Sequence, residues 1–123
     1  MKKIVFLLYV LVLISCTNND SSSDEITQEQ LVQKKQEILN YINSFECTGS
    51  CNYIAFGSKP CGGPREYLVF PSTVDFFVIN DLVTEYNEMD NLFNIQTGAV
   101  SDCMLVTPPT NLDCVNGDCV ILN

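Results

Sequence analysis

The residues most able to do chemistry in this chain are its cysteines, because thiols form disulfides, bind soft metals and act as nucleophiles. The 123 residues include seven cysteines and no histidine. Without histidine, Ser-His-Asp and Cys-His nucleophile systems and histidine-containing zinc sites are excluded within this chain. Six cysteines follow the N-terminal segment: Cys47, Cys51, Cys61, Cys103, Cys114 and Cys119.

An even number of cysteines in an exported chain favours disulfides. Metal binding is the competing interpretation, but Cys47-x3-Cys51 and Cys114-x4-Cys119 differ from the C-x2-C knuckles of zinc ribbons. The same pair Cys47 and Cys51 lacks the C-x-x-C spacing and the cationic neighbour of a redox-active dithiol. We therefore expect three disulfides, no metal and no cofactor.

Six cysteines allow 15 pairings, and the sequence does not choose among them; two options concern Cys119. Asn116-Gly117 predicts a type I′ hairpin in which Cys114 and Cys119 lie opposite each other, close enough for a bridge. Alternatively, Cys119 on the last strand reaches Cys51 at the start of the first strand. We favour Cys51 with Cys119, because a bridge between two segments holds more of the fold together than one inside a hairpin.

Carboxylates are the remaining candidates for catalysis. Glu66, Asp75 and Asp102 are of the right type for acid-base work, but nothing in their spacing places two of them in one site. Asp75 is already explained by a helix N-terminus, where a negative charge is stabilising. We therefore predict no catalytic residues and no enzyme activity.

A glycine- and proline-rich loop is the candidate interaction site. It consists of Lys59, Pro60, Cys61, Gly62, Gly63 and Pro64. Its prolines restrict φ and its glycines permit positive φ, so the backbone turns sharply. Many small protease inhibitors present a substrate-like residue on such a rigid loop, and Lys59 would be that residue here. A proline directly after Lys59 is unfavourable for trypsin-like recognition. We therefore expect a non-catalytic binding module, with a protease inhibitor as the alternative.

The N-terminus is typical of a bacterial export signal, with Lys2 and Lys3 before an apolar run that is too short to span a bilayer. It ends in Leu13-Ile14-Ser15-Cys16, which resembles the lipobox of bacterial lipoproteins. The resemblance implies cleavage before Cys16 and lipidation of its sulfur, so the chain is anchored to the membrane rather than spanning it. Thr17 favours the outer membrane, since an Asp there would suggest inner-membrane retention. The domain would face the periplasm or the outside.

Charge limits the partners further. The formal charge of the chain is −9, and removal of residues 1–15 takes away two lysines and no acid, which makes it −11. This charge argues against nucleic acid and anionic lipid headgroups as partners. The expected contacts are the membrane, through the lipid, and a protein partner at the cell envelope.

Helical periodicity predicts the two elements that frame these sites. Thr27 and Gln30 form a capping box, and the first helix ends near Phe45. The second helix follows the cap residues 72–75 and extends to Phe93 or Asn94. The first apolar face comprises Leu31, Ile38, Ile42 and Phe45. The apolar face of the second helix comprises Phe76, Ile79, Val83, Tyr86 and Phe93. The solvent-facing side carries Asp81, Glu85, Glu88 and Asp90.

Short β-branched and aromatic runs predict strands at 52–56, 65–70 and 101–106, followed by the C-terminal hairpin. We expect residues 1–15 to be a signal peptide, 16–26 a lipidated flexible tether and 27–123 a single small domain. Its fold class is α+β, a disulfide-stabilised domain with two helices packed on an antiparallel sheet of about four short strands.

From Gly57 onward the chain resembles an uncharacterised family of small exported proteins and lipoproteins from Bacteroidetes. The shared pattern is Gly57-Ser58-Lys59-Pro60-Cys61-Gly62-Gly63-Pro64, Tyr67, Asp75, Tyr86-Asn87, Ser101-Asp102-Cys103, Pro108-Pro109 and Cys114-Val115-Asn116-Gly117. Family members often have Trp in place of Cys51 and no cysteine in place of Cys119. Both cysteines are departures here, which is compatible with a bridge between them. The resemblance implies an envelope location and no established activity.

Overall fold

The computed structural model describes residues 25–122. Its elements are α1 (Gln28–Asn43), β1 (Cys51–Phe56), β2 (Glu66–Pro71), α2 (Phe76–Thr97), β3 (Leu112–Val115) and β4 (Asp118–Ile121). Two helices, four short antiparallel strands and three disulfides confirm the predicted α+β class. The predicted signal peptide, Cys16 and the tether up to residue 24 lie outside the described residues. Among residues 25–122, no helix is long and apolar enough to cross a membrane.

α1 begins at the predicted capping box. The Thr27 hydroxyl accepts from the Gln30 N–H at 3.2 Å, and the Gln30 side chain accepts from the Thr27 N–H at 2.7 Å. The helix ends at Asn43, so Phe45 lies after it rather than on its face. Phe45 still packs half-buried against the core, with its ring centroid 5.3 Å from that of Tyr41.

β1 and β2 form an antiparallel hairpin that pairs Cys51 with Pro71 at one end and Phe56 with Glu66 at the other. Because successive side chains point to opposite faces, Phe56 and Phe70 share the inner face and are buried. Residues 57–65 connect the strands and contain the candidate interaction loop.

α2 starts where Asp75 accepts from the N–H groups of Phe77 and Val78, at 2.9 and 3.4 Å. It extends to Thr97, further than expected, and Gly98 terminates it in a left-handed conformation with φ of 62°. The prediction that Phe76 belongs to the apolar face is wrong, since 53% of its surface is exposed. Phe77 and Val78 are exposed as well, and burial on α2 begins at Ile79.

β3 and β4 form the predicted hairpin around Asn116-Gly117, both of which have positive φ. Cys114 lies opposite Cys119, as expected from the register. The four strands are divided between two sheets, β1–β2 and β3–β4. The hairpins contact each other through β1 with β3 and β2 with β4.

The prediction of a strand at residues 101–106 is wrong, because this segment has no regular secondary structure. Its apolar run is not a core segment, since Leu105 is 91% exposed. Cys103 has a φ of 55°, outside the β region, and Pro108-Pro109 offer no N–H for a ladder. A disulfide from Cys103 to Cys61 holds the segment in place of strand pairing.

The hydrophobic core lies between the two helices and the inner face of β1–β2. The Phe56 ring stacks on that of Tyr86 with their centroids 4.1 Å apart. Burial of one such large side chain stabilises the fold by about 1.5 to 3 kcal/mol. The most deeply buried side chains are Ile38, Phe56, Phe70, Ile79 and Val83.

Candidate functional site

One face of α2 carries three polar side chains that hold the 57–65 connection. Asn87, Asp90 and Asn94 are spaced by three and four residues, which aligns them on one side of a helix. The prediction that Asp90 lies on the wet face is wrong, because it is only 4% exposed. The 57–65 connection covers it, and periodicity within a helix cannot reveal cover that a distant loop provides.

Asp90 is the centre of this network. Its Oδ2 accepts from the backbone N–H of Ser58 at 2.7 Å and from Nε of Arg65 at 2.7 Å. Its Oδ1 accepts from Nη2 of Arg65 at 3.2 Å, which makes the ion pair bidentate. The hydrogen bond to Asp90 raises the pKa of Arg65, so the guanidinium stays charged.

Asn94 and Asn87 complete the network on either side of Asp90. Asn94 accepts from Nη2 of Arg65 and donates to the Ser58 carbonyl, both at 2.7 Å. Asn87 accepts from the Gly57 N–H at 2.7 Å. Within residues 25–122, every buried side-chain nitrogen and oxygen has a hydrogen-bond partner. The network therefore fixes the loop and leaves no unpaired buried group for acid-base chemistry in that part of the chain.

Lys59 turns away from solvent instead of standing at the tip of the loop. Its side chain is 13% exposed, and Nζ donates to the Met104 carbonyl at 2.6 Å and contacts Asp102 Oδ1 at 3.3 Å. The Met104 N–H and the Lys59 ammonium lower the pKa of Asp102. Gly62 and Gly63 remain exposed with positive φ, as expected for a sharp turn. Pro60 and Pro64 are half-buried on either side.

The three carboxylates considered for catalysis each have a separate structural partner. Glu66 forms an ion pair with Lys35 at 2.6 Å. Asp75 caps α2, and Asp102 holds Lys59. None of the three hydrogen bonds to another in the described part of the chain.

Four of the six cysteines meet at one point. Sγ atoms of Cys47, Cys51, Cys114 and Cys119 all lie within 4.8 Å of one another. They form the disulfides Cys47–Cys114 and Cys51–Cys119, of which the second is the pairing that we favoured from the sequence. The clustering itself was missed. The bonded partners are 67 and 68 residues apart, so no local spacing could have indicated it.

The outer face of β1–β2 carries an aromatic surface, which we call the Tyr–Pro surface. It consists of Tyr53, Tyr67, Phe76, Pro108 and Pro109. The rings of Tyr53 and Tyr67 meet edge to face with centroids 5.6 Å apart. A cleft of about 500 Å³ next to Tyr53 and Phe76 and another of about 560 Å³ next to Tyr67 and Pro108 share Pro109 as a wall. Strand alternation places both tyrosines outward, which is the signal that could have found this surface.

The basic side chains of residues 25–122 are already neutralised locally. Lys34 pairs with Glu37 and Glu85, Lys35 with Glu66, Lys59 with Asp102, and Arg65 with Asp90. These ion pairs use five of the 15 acidic residues in the sequence. The remaining charge that the domain shows to a partner is therefore negative.

Comparisons with protein-family models, with curated proteins and with solved structures found no match. The fold and the site define a small, disulfide-stabilised α+β domain.

Proposed function

We propose that this protein is a lipid-anchored, non-catalytic binding module of the bacterial cell envelope. We further propose that the Tyr–Pro surface binds an extended, basic segment of a partner protein. The observation that carries this proposal is the outward-facing Tyr53–Tyr67 pair, in which Tyr53 is exposed and Tyr67 is half-buried, next to the two clefts.

Location follows from the lipobox-like residues that end in Cys16 and from the resemblance to exported Bacteroidetes proteins. We place the protein at the outer membrane, facing the periplasm or the outside. Three disulfides support an oxidising compartment. Replacing Cys16→Ser should move the protein from the membrane pellet to the soluble fraction after cell fractionation. Retention of Cys16→Ser in the pellet would contradict lipid anchoring.

The shape of the Tyr–Pro surface favours an extended ligand. The two clefts lie on either side of Pro109, so successive side chains of one extended segment can enter both. Tyrosine and proline lose little conformational freedom when they are covered, and tyrosine offers a large apolar area with a polar end. Such a surface binds at low entropic cost.

Charge favours a basic ligand. The basic side chains of the described part are occupied by their own acids, whereas Asp113 and Asp118 are exposed on the adjacent hairpin. Opposite charge increases the association rate and disfavours acidic competitors. Binding should consequently weaken as salt is added.

The absence of catalysis is part of the proposal. The carboxylates considered for catalysis have structural partners, and the described cysteines are in disulfides. The protease-inhibitor alternative needs Lys59 at the loop tip, but that side chain is turned inward onto Asp102 and Met104. A panel of serine and cysteine proteases tests it, with Lys59→Ala as the matched variant. Inhibition that Lys59→Ala abolishes would favour the inhibitor.

Site-specific photo-crosslinking in intact cells tests the binding surface. A photoreactive phenylalanine derivative replaces Tyr53 in one variant and Val32 in the other. Val32 is a matched control because it is exposed to a similar degree, at 58% against 43%, but lies on α1. We expect a discrete protein adduct from position 53, reduced by high salt, and none from position 32. Tyr67→Ala should remove the adduct at position 53.

Equal adducts from both positions would show non-specific collision, and no adduct at position 53 would overturn the proposed surface. An adduct with lipid or polysaccharide rather than protein would replace the proposed ligand class.

A further inference from the structure

The two disulfides at the junction of the hairpins share one compact sulfur cluster. Cys47 precedes β1, Cys51 is its first residue, and Cys114 and Cys119 lie in β3 and β4. Besides its bonded partner, Cys47 Sγ lies 3.4 Å from Cys51 Sγ and 3.3 Å from Cys119 Sγ. Cys51 Sγ lies 3.9 Å from Cys114 Sγ. Each sulfur therefore has non-bonded sulfur neighbours as well as a bonded one.

The non-bonded sulfur separations are close to those of a tetrathiolate site, and the two bonded pairs would move apart on reduction. Zinc binds thiolate at about 2.3 Å in a tetrahedron, which separates the ligand sulfurs by about 3.8 Å. The non-bonded separations in the cluster lie on both sides of that value. We propose that the four-cysteine cluster binds one Zn²⁺ ion when both disulfides are reduced.

The backbone holds the four positions independently of the sulfur bonds. Cys114 and Cys119 are opposite each other in the β3–β4 hairpin, whose strands are connected by the Asn116-Gly117 turn. The Cys47 N–H donates to the Gly117 carbonyl at 2.7 Å, and Cys51 is in register with Pro71 in β1–β2. Reduction therefore leaves four thiols close together, and a metal ion would link the same chain segments as the disulfides do.

The cluster is accessible from two sides. Cys119 lines a cleft of about 410 Å³, and Cys51 lines the cleft of about 500 Å³ at the Tyr–Pro surface. Cys47 is buried, whereas the other three cysteines are half-buried. These clefts reach two of the four cysteines, from which a reductant and an ion can approach the cluster.

The chemistry requires a reductant, which we take to be a dithiol. Each protein disulfide accepts two electrons and two protons from one dithiol, which becomes a disulfide itself. Two such exchanges produce four cysteine thiols. Zn²⁺ then displaces four protons and forms four zinc–sulfur bonds. The reverse exchange, in which the four thiolates reduce two molecules of a small disulfide to dithiols, re-forms the two protein disulfides, removes the ligands and releases the ion.

Cobalt titration tests this site, because tetrahedral Co²⁺–thiolate has intense visible and near-ultraviolet absorption that zinc lacks. The full-length chain is purified in detergent, reduced anaerobically with a phosphine and titrated with Co²⁺. We expect one Co²⁺ per chain, displaced by one Zn²⁺, and none bound by the oxidised chain. An absence of thiolate-to-cobalt bands would overturn the proposal, and so would equal binding by the oxidised chain.

Variants locate the ion. Cys51→Ser should lower the affinity at least ~100-fold, since loss of a ligand exceeds the effect of losing a residue that supports one. The matched control, Cys61→Ser with Cys103→Ser, removes the cysteines of the third disulfide and should leave the stoichiometry unchanged. Unaltered affinity in Cys51→Ser, or loss of binding in the control, would overturn the assignment.

Alkylation of the wild-type chain gives a readout that needs no variant to fold. The reduced chain is treated with iodoacetamide, with and without Zn²⁺, and its peptides are analysed by mass spectrometry. We expect Zn²⁺ to protect Cys47, Cys51, Cys114 and Cys119 while Cys61 and Cys103 react. Uniform protection or uniform reaction of the six cysteines would contradict a site at the cluster.

Discussion

At the scale of single residues, Asp90 joins α2 to the 57–65 connection by three hydrogen bonds. It accepts hydrogen bonds from Arg65 and from the Ser58 backbone, although it is almost completely buried. A buried carboxylate is tolerated only when it is paired, so the loop and the acid depend on each other. The same dependence explains why Arg65, at the start of the second predicted strand, is a loop residue in the structure.

Replacing Asp90→Ala should lower the free energy of unfolding by about 2 to 3 kcal/mol, because it removes charged hydrogen bonds and leaves the Ser58 N–H unpaired. Urea denaturation followed by circular dichroism measures this change. The control is Asp81→Ala, an exposed acid on the same helix, for which we expect a change within about 0.5 kcal/mol. Equal effects of the two substitutions would refute the structural role of Asp90.

Tyr86 makes the stability of the domain depend on alkaline pH. Burial raises the pKa of Tyr86 above its ordinary value of 10.0, and the nearby Asp90 carboxylate raises it further. The folded-state pKa is therefore above the unfolded one. The stabilisation is fully present below the unfolded pKa and is lost as pH rises through the folded pKa.

We expect the free energy of unfolding to fall as the pH increases above about 10, and to fall less steeply in Tyr86→Phe. Urea denaturation across an alkaline pH series measures both slopes. Tyr53→Phe, a substitution on the exposed surface, serves as the control and should retain the wild-type slope. If Tyr86→Phe also retains that slope, ionisation of Tyr86 is not its cause.

At the scale of elements, local signals were sufficient wherever one short stretch determines the backbone. The Thr27 box, the Asp75 cap and the Asn116-Gly117 turn all appear as predicted. The prediction of a strand at residues 101–106 was wrong because an apolar run forms a strand only if a partner strand is available. No strand pairs with this segment in the described part of the chain. The Tyr–Pro surface was missed for a related reason, since Pro108 and Tyr67 meet only in the folded chain.

The 57–65 connection depends on glycine at its first position. Gly57 has a φ of 77°, and a Cβ there would lie 2.9 Å from Cγ of Arg65. Gly62 has a φ of 94° but nothing within 4 Å of that position. Substitution by alanine therefore strains the backbone at both sites but displaces Arg65 only at Gly57.

We expect Gly62→Ala to destabilise the domain by about 1 to 2 kcal/mol, through backbone strain alone. Gly57→Ala should cost about 1 to 2 kcal/mol more, because Arg65 moves away from Asp90. Urea denaturation compares the two variants. A Gly57→Ala variant no less stable than Gly62→Ala would show that the contact with Arg65 is readily relieved.

At the scale of the whole molecule, two of the three disulfides enclose nearly the same part of the chain. Cys47–Cys114 and Cys51–Cys119 join residues 67 and 68 positions apart, and their ends are adjacent at both sides. The cysteine count and the signal-like N-terminus predicted disulfides, and the Cys51–Cys119 pairing was favoured. The overlap of the two loops was not predictable, because it depends on how the C-terminal hairpin packs on β1.

Because the two loops overlap, the contributions of the two bridges to the free energy of unfolding should not be additive. If Cys47→Ala and Cys114→Ala remove one bridge, the other bridge still closes the long loop. Only a small ring of about ten residues is opened, which should lower the free energy of unfolding by about 3 kcal/mol. Removing the second bridge as well opens the long loop, worth about 4 kcal/mol more. Urea denaturation of each two-alanine variant and of the four-alanine variant should therefore show a combined loss larger than the sum of the separate losses. Strict additivity would mean that the two bridges constrain the unfolded chain independently, contrary to their shared loop.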